Sequence, residues 1–535
     1  MAEIAGKNKY PIDILTSWKT ALWVGIFLRL VLFFTDGSLW RDEAKLLMSI
    51  SSVPLGDLFL ELPLGQRAPF ALALLWKYIM EGLAGSTLLL RGPSVIAGIS
   101  QLLIFAFIVL KTNPKTNKLR NAVIWITAVS PNLILFGNQV KPYVFDVFFS
   151  TLLIGLALPF FWSEKQKAIH AIALILGSWI SLLSSFPSWF VVAGICLGIF
   201  VEYGFKRMRL LATLSCGSLA IVIFIYTASG EPSNFLLNFW AAHFPAAKVW
   251  WWTKALAESL FWGSASPTYL SAINLFYVFG WLFLLLCGFG AYNLWRSKRQ
   301  GLLCILLIPT ISCLIASALH KYPYGNRLIL FMMPQINILV AFGLIHITRQ
   351  MRLRDPIAAP NPRREVGTKA VPSKAKLQKA AHWGLWIMVV LCSLISMAEY
   401  LRPCKGVKQG LGFIALHEKK GDTVLVDEYA SQVVNYYRLL AAKDNQGWFP
   451  RAELVIPRQN ETEESGKLTA KEATALLPSE SRVWLIAEPE GYHRRLNTSF
   501  LPITNSMAAR LMESRKVIYY LKVPRVLVIC FSEES

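Results

Sequence analysis

Long apolar runs separated by short polar segments fill the chain from residue 18 to residue 399. A helix needs roughly 20 residues to cross a hydrocarbon layer of about 30 Å, and we count eleven runs that could form such helices. The pattern predicts a polytopic α-helical membrane protein with about eleven transmembrane helices. These runs lie near residues 18–35, 88–110, 121–137, 142–162, 168–186, 188–204, 210–228, 272–294, 302–319, 327–347 and 383–399.

One further apolar segment, PFALALLWKYIMEGLA at residues 69–84, is short and contains Lys77 and Glu81 at an i,i+4 spacing. If this segment spanned the membrane, every later loop would change sides. We therefore interpret it as an interfacial or re-entrant helix.

Beyond residue 400 the long runs give way to short β-type runs rich in branched and aromatic residues. Helical stretches are predicted near residues 429–442 and 504–514. This alternation predicts a small α/β domain outside the membrane. The β-type runs are TVLVD (423–427), RVWLIAE (482–488), KVIYYLKV (516–523) and RVLVICF (525–531).

A change in composition after residue 351 indicates the domain boundaries. Residues 352–382 are basic and contain several prolines, which is typical of a flexible connection. The predicted order is a transmembrane module (1–351), this cytoplasmic linker (352–382), a last transmembrane helix (383–399) and the extracytoplasmic α/β domain (400–535).

The charge distribution indicates how the chain is oriented. The net charge of +22 would fit nucleic-acid binding, but residues 400–535 hold 19 Lys and Arg against 16 Asp and Glu. Most of the positive charge therefore belongs to the membrane part. The N-terminus and the predicted inner loops hold 24 Lys and Arg, whereas the outer loops hold nine. Since cytoplasmic loops retain basic residues, the N-terminus is predicted inside and the C-terminal domain outside.

Cysteines and histidines show no metal-site spacing, and neither a phosphate-cradling glycine loop nor a nucleophile elbow is present in the sequence. Six of the eight cysteines lie in apolar runs, where buried side chains are expected. Cys404 and Cys530 face the predicted outer side, where a disulfide between them is one open alternative. Whether a divalent metal takes part is not readable from the sequence.

Two adjacent carboxylates, Asp42 and Glu43, follow the first apolar run in the stretch LWRDEAKLL. A carboxylate at headgroup height loses part of its hydration, so it becomes a better acceptor for a hydroxyl proton. The other outer loops contribute cations, which suit a substrate with a phosphate head and a lipid tail. The same side chains also fit a solvated, headgroup-anchoring face. The cations are Arg67, Arg91, Lys141, His320, Lys321 and Arg327.

Four motifs in this order resemble the GT-C glycosyltransferases, and are most similar to the bacterial branch related to protein O-mannosyltransferases and lipid A aminoarabinose transferases. The resemblance covers roughly residues 15–350. It implies a GT-C-like transmembrane enzyme that moves a sugar, with inversion, from a polyprenyl-phosphate donor to a glycan, lipid or protein acceptor on the extracytoplasmic side. The motifs are WRDEA, QRAPFALALLWKYIMEGLAGSTLLLRGPSVIAG, SPNLILFGNQVKPYVF and KYPYGNRLILFMMPQINILVAFGL.

The resemblance also implies roles for single residues. Asp42 becomes the expected catalytic carboxylate with Glu43 beside it, and Lys141 and Arg327 are expected to contact the carrier phosphate. The sequence departs from the family at Gln66, where many members have a histidine, so Arg67 is the alternative polar contact. The expected substrate-binding residues are Arg67, Arg91, Lys141, Tyr143, His320, Lys321, Tyr322 and Arg327.

Two other functions remain open from the residues alone. A transporter or lipid flippase would also have many spans, and a non-catalytic scaffold would use the outer domain as its active part. The expected location is the bacterial inner membrane, with membrane lipids as surroundings and no nucleic-acid partner.

Overall fold

The structure is a computed structural model that describes most of the membrane part and about half of the C-terminal part. The described residues are 17–35, 38–82, 86–112, 117–162, 166–230, 233–245, 275–353, 406–426, 428–444, 449–455, 477, 481–487, 511, 515–523 and 526–532.

Helices make up nearly all of the described chain before residue 354. They are α1 (Trp18–Thr35), α2 (Arg41–Ser52), α3 (Phe70–Gly82), α4 (Thr87–Thr112), α5 (Asn117–Ala128), α6 (Pro131–Phe136), α7 (Tyr143–Ala157), α8 (Pro159–Trp162), α9 (Ala168–Ser184), α10 (Ser188–Tyr203), α11 (Met208–Ser229), α12 (Asn234–Trp240), α13 (Leu275–Arg296), α14 (Gln300–Ala318) and α15 (Met333–Leu353).

Six helical stretches among the described residues are long and apolar enough to cross a membrane, and one of them contains both α10 and α11. The chain is therefore a polytopic α-helical membrane protein, as the apolar runs predicted. The number of eleven spans stays a prediction. The six stretches are Trp18–Thr35, Thr87–Thr112, Tyr143–Trp162, Ser188–Ser229, Gln300–Ala318 and Arg327–Ile347.

The predicted run 121–137 forms two helices, α5 and α6, instead of one. The break falls at Val129 and Ser130, directly before Pro131, which is the first residue of α6. Proline lacks an N–H and disfavours helical backbone at the residue before it, so a helix ends more easily here. The short segment 69–84 contains α3, a helix of 13 residues, while its interfacial position stays a prediction.

The chain divides into two compact units. The first contains Met1–Val31, Ser94–Asn138 and Pro142–Glu399, and it is helical throughout its described part. Within it α13 packs closely on α15. At Gly290 the two backbones are so close that a Cβ would collide with the carbonyl of Leu339. Small residues allow two helix backbones to approach this closely. In a membrane the hydrophobic effect does not drive helices together, so such close van der Waals packing helps to hold them.

The second unit contains Leu32–Pro93, Gln139–Lys141 and Tyr400–Ser535. The described residues of its C-terminal part form two helices and a five-stranded sheet of order β2-β1-β3-β5-β4. Strand β1 runs parallel to β2 and β3, whereas β5 runs antiparallel to β3 and β4. The elements are α16 (Val407–His417), β1 (Thr423–Val426), α17 (Glu428–Asp444), β2 (Glu453–Val455), β3 (Val483–Ala487), β4 (Val517–Val523) and β5 (Val526–Phe531).

The three inner strands of the sheet, β1, β3 and β5, are also its buried strands. Every residue of β1, β3 and β5 is buried, as expected for strands covered on both faces, and their apolar side chains form the core of this part. All four predicted β-type runs form strands, and the predicted helix near 429–442 is α17. The edge strand β2 and helix α16 were not predicted, because β2 has only three residues and α16 lies beside the last apolar run.

Several predictions fall outside the described residues. These are the linker 352–382 beyond residue 353, the span 383–399, Cys404, and the helix near 504–514 apart from Leu511. Cys530 is buried in β5. It is a free cysteine in the structure, and the domain boundaries stay predictions.

Candidate functional site

The WRDEA motif forms the start of α2. Trp40 is the residue before the helix, and its N–H donates to the Glu43 carboxylate at 2.7 Å. This contact is half of a capping box, in which a glutamate in the first turn satisfies a backbone donor that the helix leaves open. Asp42 stands in the same turn, with 17% of its side chain exposed and its Oδ1 4.0 Å from Arg41 Nε. The helix dipole favours both carboxylates at this end.

Glu43 and Arg91 form an ion pair with both side chains fully buried. Arg91 donates to the two Glu43 oxygens at 3.3 and 3.0 Å, and the Val140 N–H donates to the first of them at 2.8 Å. Arg91 also donates to the Ser38 carbonyl at 2.7 Å. The structure therefore joins two predicted site residues directly to each other, and it directs both away from the protein surface.

Lys141, a predicted phosphate contact, lies in the second unit and is almost fully buried. Its Nζ donates to Gln66 Oε1 at 2.8 Å. Gln66, the position at which the sequence departs from the family that it resembles, thus contributes a neutral amide to the ammonium of Lys141. This amide oxygen accepts a hydrogen bond from the ammonium and so helps to orient it.

A tight turn carries Gln66. Backbone hydrogen bonds of 3.0 and 3.3 Å join Leu62 and Gln66 in both directions, and Leu64 and Gly65 both adopt left-handed backbone with φ of 59° and 61°. Left-handed backbone is costly for leucine, so the surrounding contacts must hold it there. Arg67, the next residue, pairs with Glu61 Oε2 at 3.4 Å.

The far end of α2 is held as well. The Lys77 Nζ donates to the carbonyls of Ile50 and Val53, at 3.2 and 2.7 Å, and Ser49 Oγ donates to the Pro63 carbonyl at 2.5 Å. A lysine at this place satisfies carbonyls that a helix C-terminus leaves open. Both ends of the helix that carries Asp42 are therefore fixed by side chains of the same unit.

A contact that the sequence did not predict comes from α17. The Tyr437 hydroxyl is fully buried and accepts a hydrogen bond from the Leu39 N–H at 2.9 Å. Burial raises the pKa of Tyr437 to about 12, so the hydroxyl keeps its proton at neutral pH. No local sequence pattern could predict this contact, because the two residues are 398 positions apart.

In the first unit, Arg327 and Tyr143 lie together. The Arg327 guanidinium is 5.1 Å from the Tyr143 ring centroid and 5.8 Å from that of Trp240. His243 makes an edge contact with Trp240 at 5.2 Å, and burial, followed by the charge of Arg327, lowers the pKa of His243. The imidazole is therefore neutral at pH 7, and Arg327 has aromatic faces beside it, an arrangement typical of guanidinium sites.

The remaining predicted residues follow α14. His320 ends the helix in left-handed backbone with φ of 54°, and its ring lies 4.9 Å from Phe244. Lys321 is exposed. The Tyr322 hydroxyl donates to the Leu328 carbonyl at 3.0 Å. His320 is exposed like Lys321, whereas Tyr322 is partly buried.

Among the described residues, no three His, Cys, Asp or Glu side chains form a group that could hold a metal ion. The described contacts bring Glu43 together with Arg91, and Tyr143 together with Arg327. Arg67 and Lys141 each contact a residue of the turn region instead.

No protein-family model and no curated protein sequence matches the chain. Among solved structures, it is similar to ArnT from Cupriavidus metallidurans bound to undecaprenyl phosphate, at 9% identity over 96% of this chain and 97% of that chain, with a TM-score of 0.47. The apo state of the same protein matches at 11% identity over 96% and 98%, also with a TM-score of 0.47.

A second similar structure is the archaeal oligosaccharyltransferase AglB from Archaeoglobus fulgidus in complex with an inhibitory peptide and a dolichol-phosphate. It matches at 10% identity over 82% of this chain and 64% of that chain, with a TM-score of 0.44.

Proposed function

We propose that the protein is an inner-membrane glycosyltransferase that transfers a sugar from a polyprenyl-phosphate donor to a glycan, lipid or protein acceptor on the extracytoplasmic side. The observation that carries this proposal is the first turn of α2. There Glu43 is fully buried and paired, whereas 17% of the neighbouring Asp42 side chain is exposed. One carboxylate of the motif is thus built into the fold, and the other is accessible to a substrate.

Asp42 serves as the general base. It takes the proton of an acceptor hydroxyl while that oxygen forms a bond to the anomeric carbon. The bond from this carbon to the phosphate oxygen breaks in the same step, and its electron pair leaves with the polyprenyl phosphate. A single displacement of this kind inverts the anomeric centre, by the logic that makes one carboxylate the base in inverting sugar chemistry.

Lys141 meets the charge that develops on the leaving phosphate. Its ammonium is held by the amide of Gln66, so it stays oriented without a carboxylate in that contact. A preoriented cation in a water-poor site stabilises developing negative charge more strongly than a solvated one. Arg67 is the further candidate for a polar contact, and the phosphate contact of Arg327 stays a prediction from the sequence.

Glu43 and Arg91 receive different roles from those that the sequence predicted. Glu43 was expected to take part in catalysis and Arg91 to bind substrate. Both are fully buried, and they hydrogen-bond to each other and to the backbone of residues 38, 40 and 140. We assign them the role of holding the start of α2, because a carboxylate already bound by several donors is a poor proton acceptor.

The test is transfer from a panel of radiolabelled polyprenyl-phosphate sugars in membranes that contain the wild-type chain, Asp42→Asn or Asp57→Asn. Asp57 is exposed in the same outer segment, so its variant is the matched control. We expect Asp42→Asn to lower transfer by about 10²- to 10⁴-fold, the range for loss of a general base, with donor binding retained. Asp57→Asn should behave as the wild type.

Two outcomes would contradict the proposal. If Asp42→Asn transfers as well as the wild type, Asp42 is not the base. If the wild type neither transfers sugar nor binds any donor, a transporter or a scaffold becomes the better description.

A further inference from the structure

The C-terminal sheet domain contributes a side chain to the segment that leads into α2. This side chain is Tyr437, on the face of α17 that packs against α2. Its hydroxyl oxygen accepts the Leu39 N–H at 2.9 Å, and Leu39 is itself buried. A buried backbone N–H without an acceptor is costly, so the Tyr437 hydroxyl stabilises this position of the Leu39 backbone.

Three successive residues before α2 are each held by one side chain. Arg91 binds the Ser38 carbonyl, Tyr437 binds the Leu39 N–H, and Glu43 binds the Trp40 N–H. Glu43 lies in α2 itself, and Arg91 lies near the start of α4. Tyr437 alone of these three belongs to the C-terminal domain.

The position of these contacts makes them relevant to Asp42. The three residues directly precede Arg41 and Asp42, which lie in the first turn of α2. A change in the backbone at Leu39 rotates or shifts that turn, and a displacement of about 1 Å at a catalytic group is enough to cost roughly 10²-fold in rate. The neutral, buried phenol supplies directional support without adding a charge beside Asp42.

We propose that Tyr437 is a positioning residue, through which the C-terminal α/β domain fixes the segment that carries Asp42 and thereby sets the rate of transfer. This inference rests on the proposed function for its catalytic part. The C-terminal domain then supports the first turn of α2, and any change that loosens α17 lowers turnover without weakening donor binding.

The experiment compares the full-length wild type with Tyr437→Phe, which removes only the hydroxyl oxygen. Tyr519→Phe is the matched control, because Tyr519 lies partly exposed on β4 of the same domain. Hydrogen–deuterium exchange in detergent is measured on peptides over residues 38–48 and over β3 and β5. Transfer is measured in parallel as kcat and as KM for the donor.

We expect Tyr437→Phe to speed exchange over residues 38–48 about tenfold, with β3 and β5 unchanged, since only a local opening becomes easier. The kcat value should fall about tenfold with the donor KM within about twofold, the signature of lost transition-state positioning. Tyr519→Phe should change neither exchange over residues 38–48 nor kcat.

Tyr437→His provides a second variant, because an imidazole nitrogen can still accept a hydrogen bond and keeps the experiment informative if the phenylalanine variant does not fold. The exchange rate over residues 38–48 should rise, and kcat should fall, in the order wild type, Tyr437→His, Tyr437→Phe. Unchanged exchange over residues 38–48 in both variants would overturn the contact, and faster exchange with unchanged kcat would overturn its effect on rate. A wild type without any transfer would instead count against the proposed function, while the exchange result would still decide the contact.

Discussion

Two arginine–carboxylate pairs of the second unit use the same chemistry in different surroundings. Glu43 and Arg91 have no exposed side-chain surface, whereas Asp422 and Arg482 are 3% and 11% exposed. The first pair fixes the segment before a helix. The second joins the residue before β1 to the residue before β3, with an N–O distance of 2.6 Å. Their difference separates a pair that supports the candidate site from one that supports the sheet.

The partners of the two carboxylates explain the distinction. Glu43 accepts backbone N–H groups from residues 40 and 140, so it links chain segments that are far apart in sequence. Asp422 accepts the Lys419 N–H and the Trp484 indole N–H besides the Arg482 guanidinium, and these groups all belong to the sheet domain. A buried pair gains little over an apolar pair of the same shape, yet breaking it leaves a charge without compensation.

The largest expected effect is therefore on the fully buried pair. Arg91→Ala should lower the free energy of unfolding by about 3–5 kcal/mol, because Glu43 stays buried without its countercharge. Arg482→Ala, the matched change in the partly exposed pair, should cost about 1–3 kcal/mol, since water reaches the carboxylate that it leaves. Thermal unfolding of the full chain in detergent measures both. Equal losses in the two variants would remove the distinction between the pairs.

An intermediate effect on stability is expected when the pH is lowered, because the Asp422–Arg482 pair of the sheet then loses its charge on Asp422. Burial favours the neutral form of Asp422, but the hydrogen bonds from Arg482, the Lys419 N–H and Trp484 outweigh it, so the pKa of Asp422 lies below its ordinary value. The unfolded chain titrates near about 3.9. The contribution is thus fully present above pH of about 4 and is lost as the pH falls through the lower folded pKa.

Thermal unfolding midpoints of the wild type and Asp422→Asn at several pH values between about 2 and 6 measure this dependence. The variant should be less stable by a few degrees at pH near 6, and the gap should close toward the acidic end. A gap that stays constant over the whole range would show that the charge of Asp422 contributes nothing to stability.

The smallest expected effect concerns the turn beside Lys141. Leu64 has left-handed backbone, which glycine adopts without strain, so Leu64→Gly should raise the free energy of unfolding by about 0.5–1 kcal/mol. Leu60→Gly, at an exposed leucine with extended backbone, is the control and should be slightly destabilising. Destabilisation by Leu64→Gly would mean that packing of the leucine side chain outweighs its backbone strain.

Much of the fold was readable from the sequence. The apolar runs predicted membrane-length helices, because a span depends only on the length and polarity of one continuous segment. The break at Pro131 was missed, although the proline marks it, since the run was judged by hydropathy alone. Strands β1, β3, β4 and β5 were found from local composition, whereas β2 was too short to give a signal.

The candidate site was only partly readable. The sequence identified the acidic pair at residues 42 and 43 and expected both in the catalytic site, with Asp42 as the catalytic carboxylate. Their separation into a partly exposed Asp42 and a fully buried Glu43 depends on Arg91 and Val140, which lie 48 and 97 positions from Glu43. The sequence also noted the departure at Gln66 without showing that its amide reaches Lys141.

The sequence by itself determined the membrane class, most of the helices and strands, and the chemical types available on the outer segments, because these follow from the polarity of neighbouring residues. The tertiary structure alone decided which carboxylate is sealed by a guanidinium, which amide orients Lys141 and that Tyr437 meets Leu39. Such contacts join side chains across tens to hundreds of positions, and only the packing of whole elements brings them within hydrogen-bond distance.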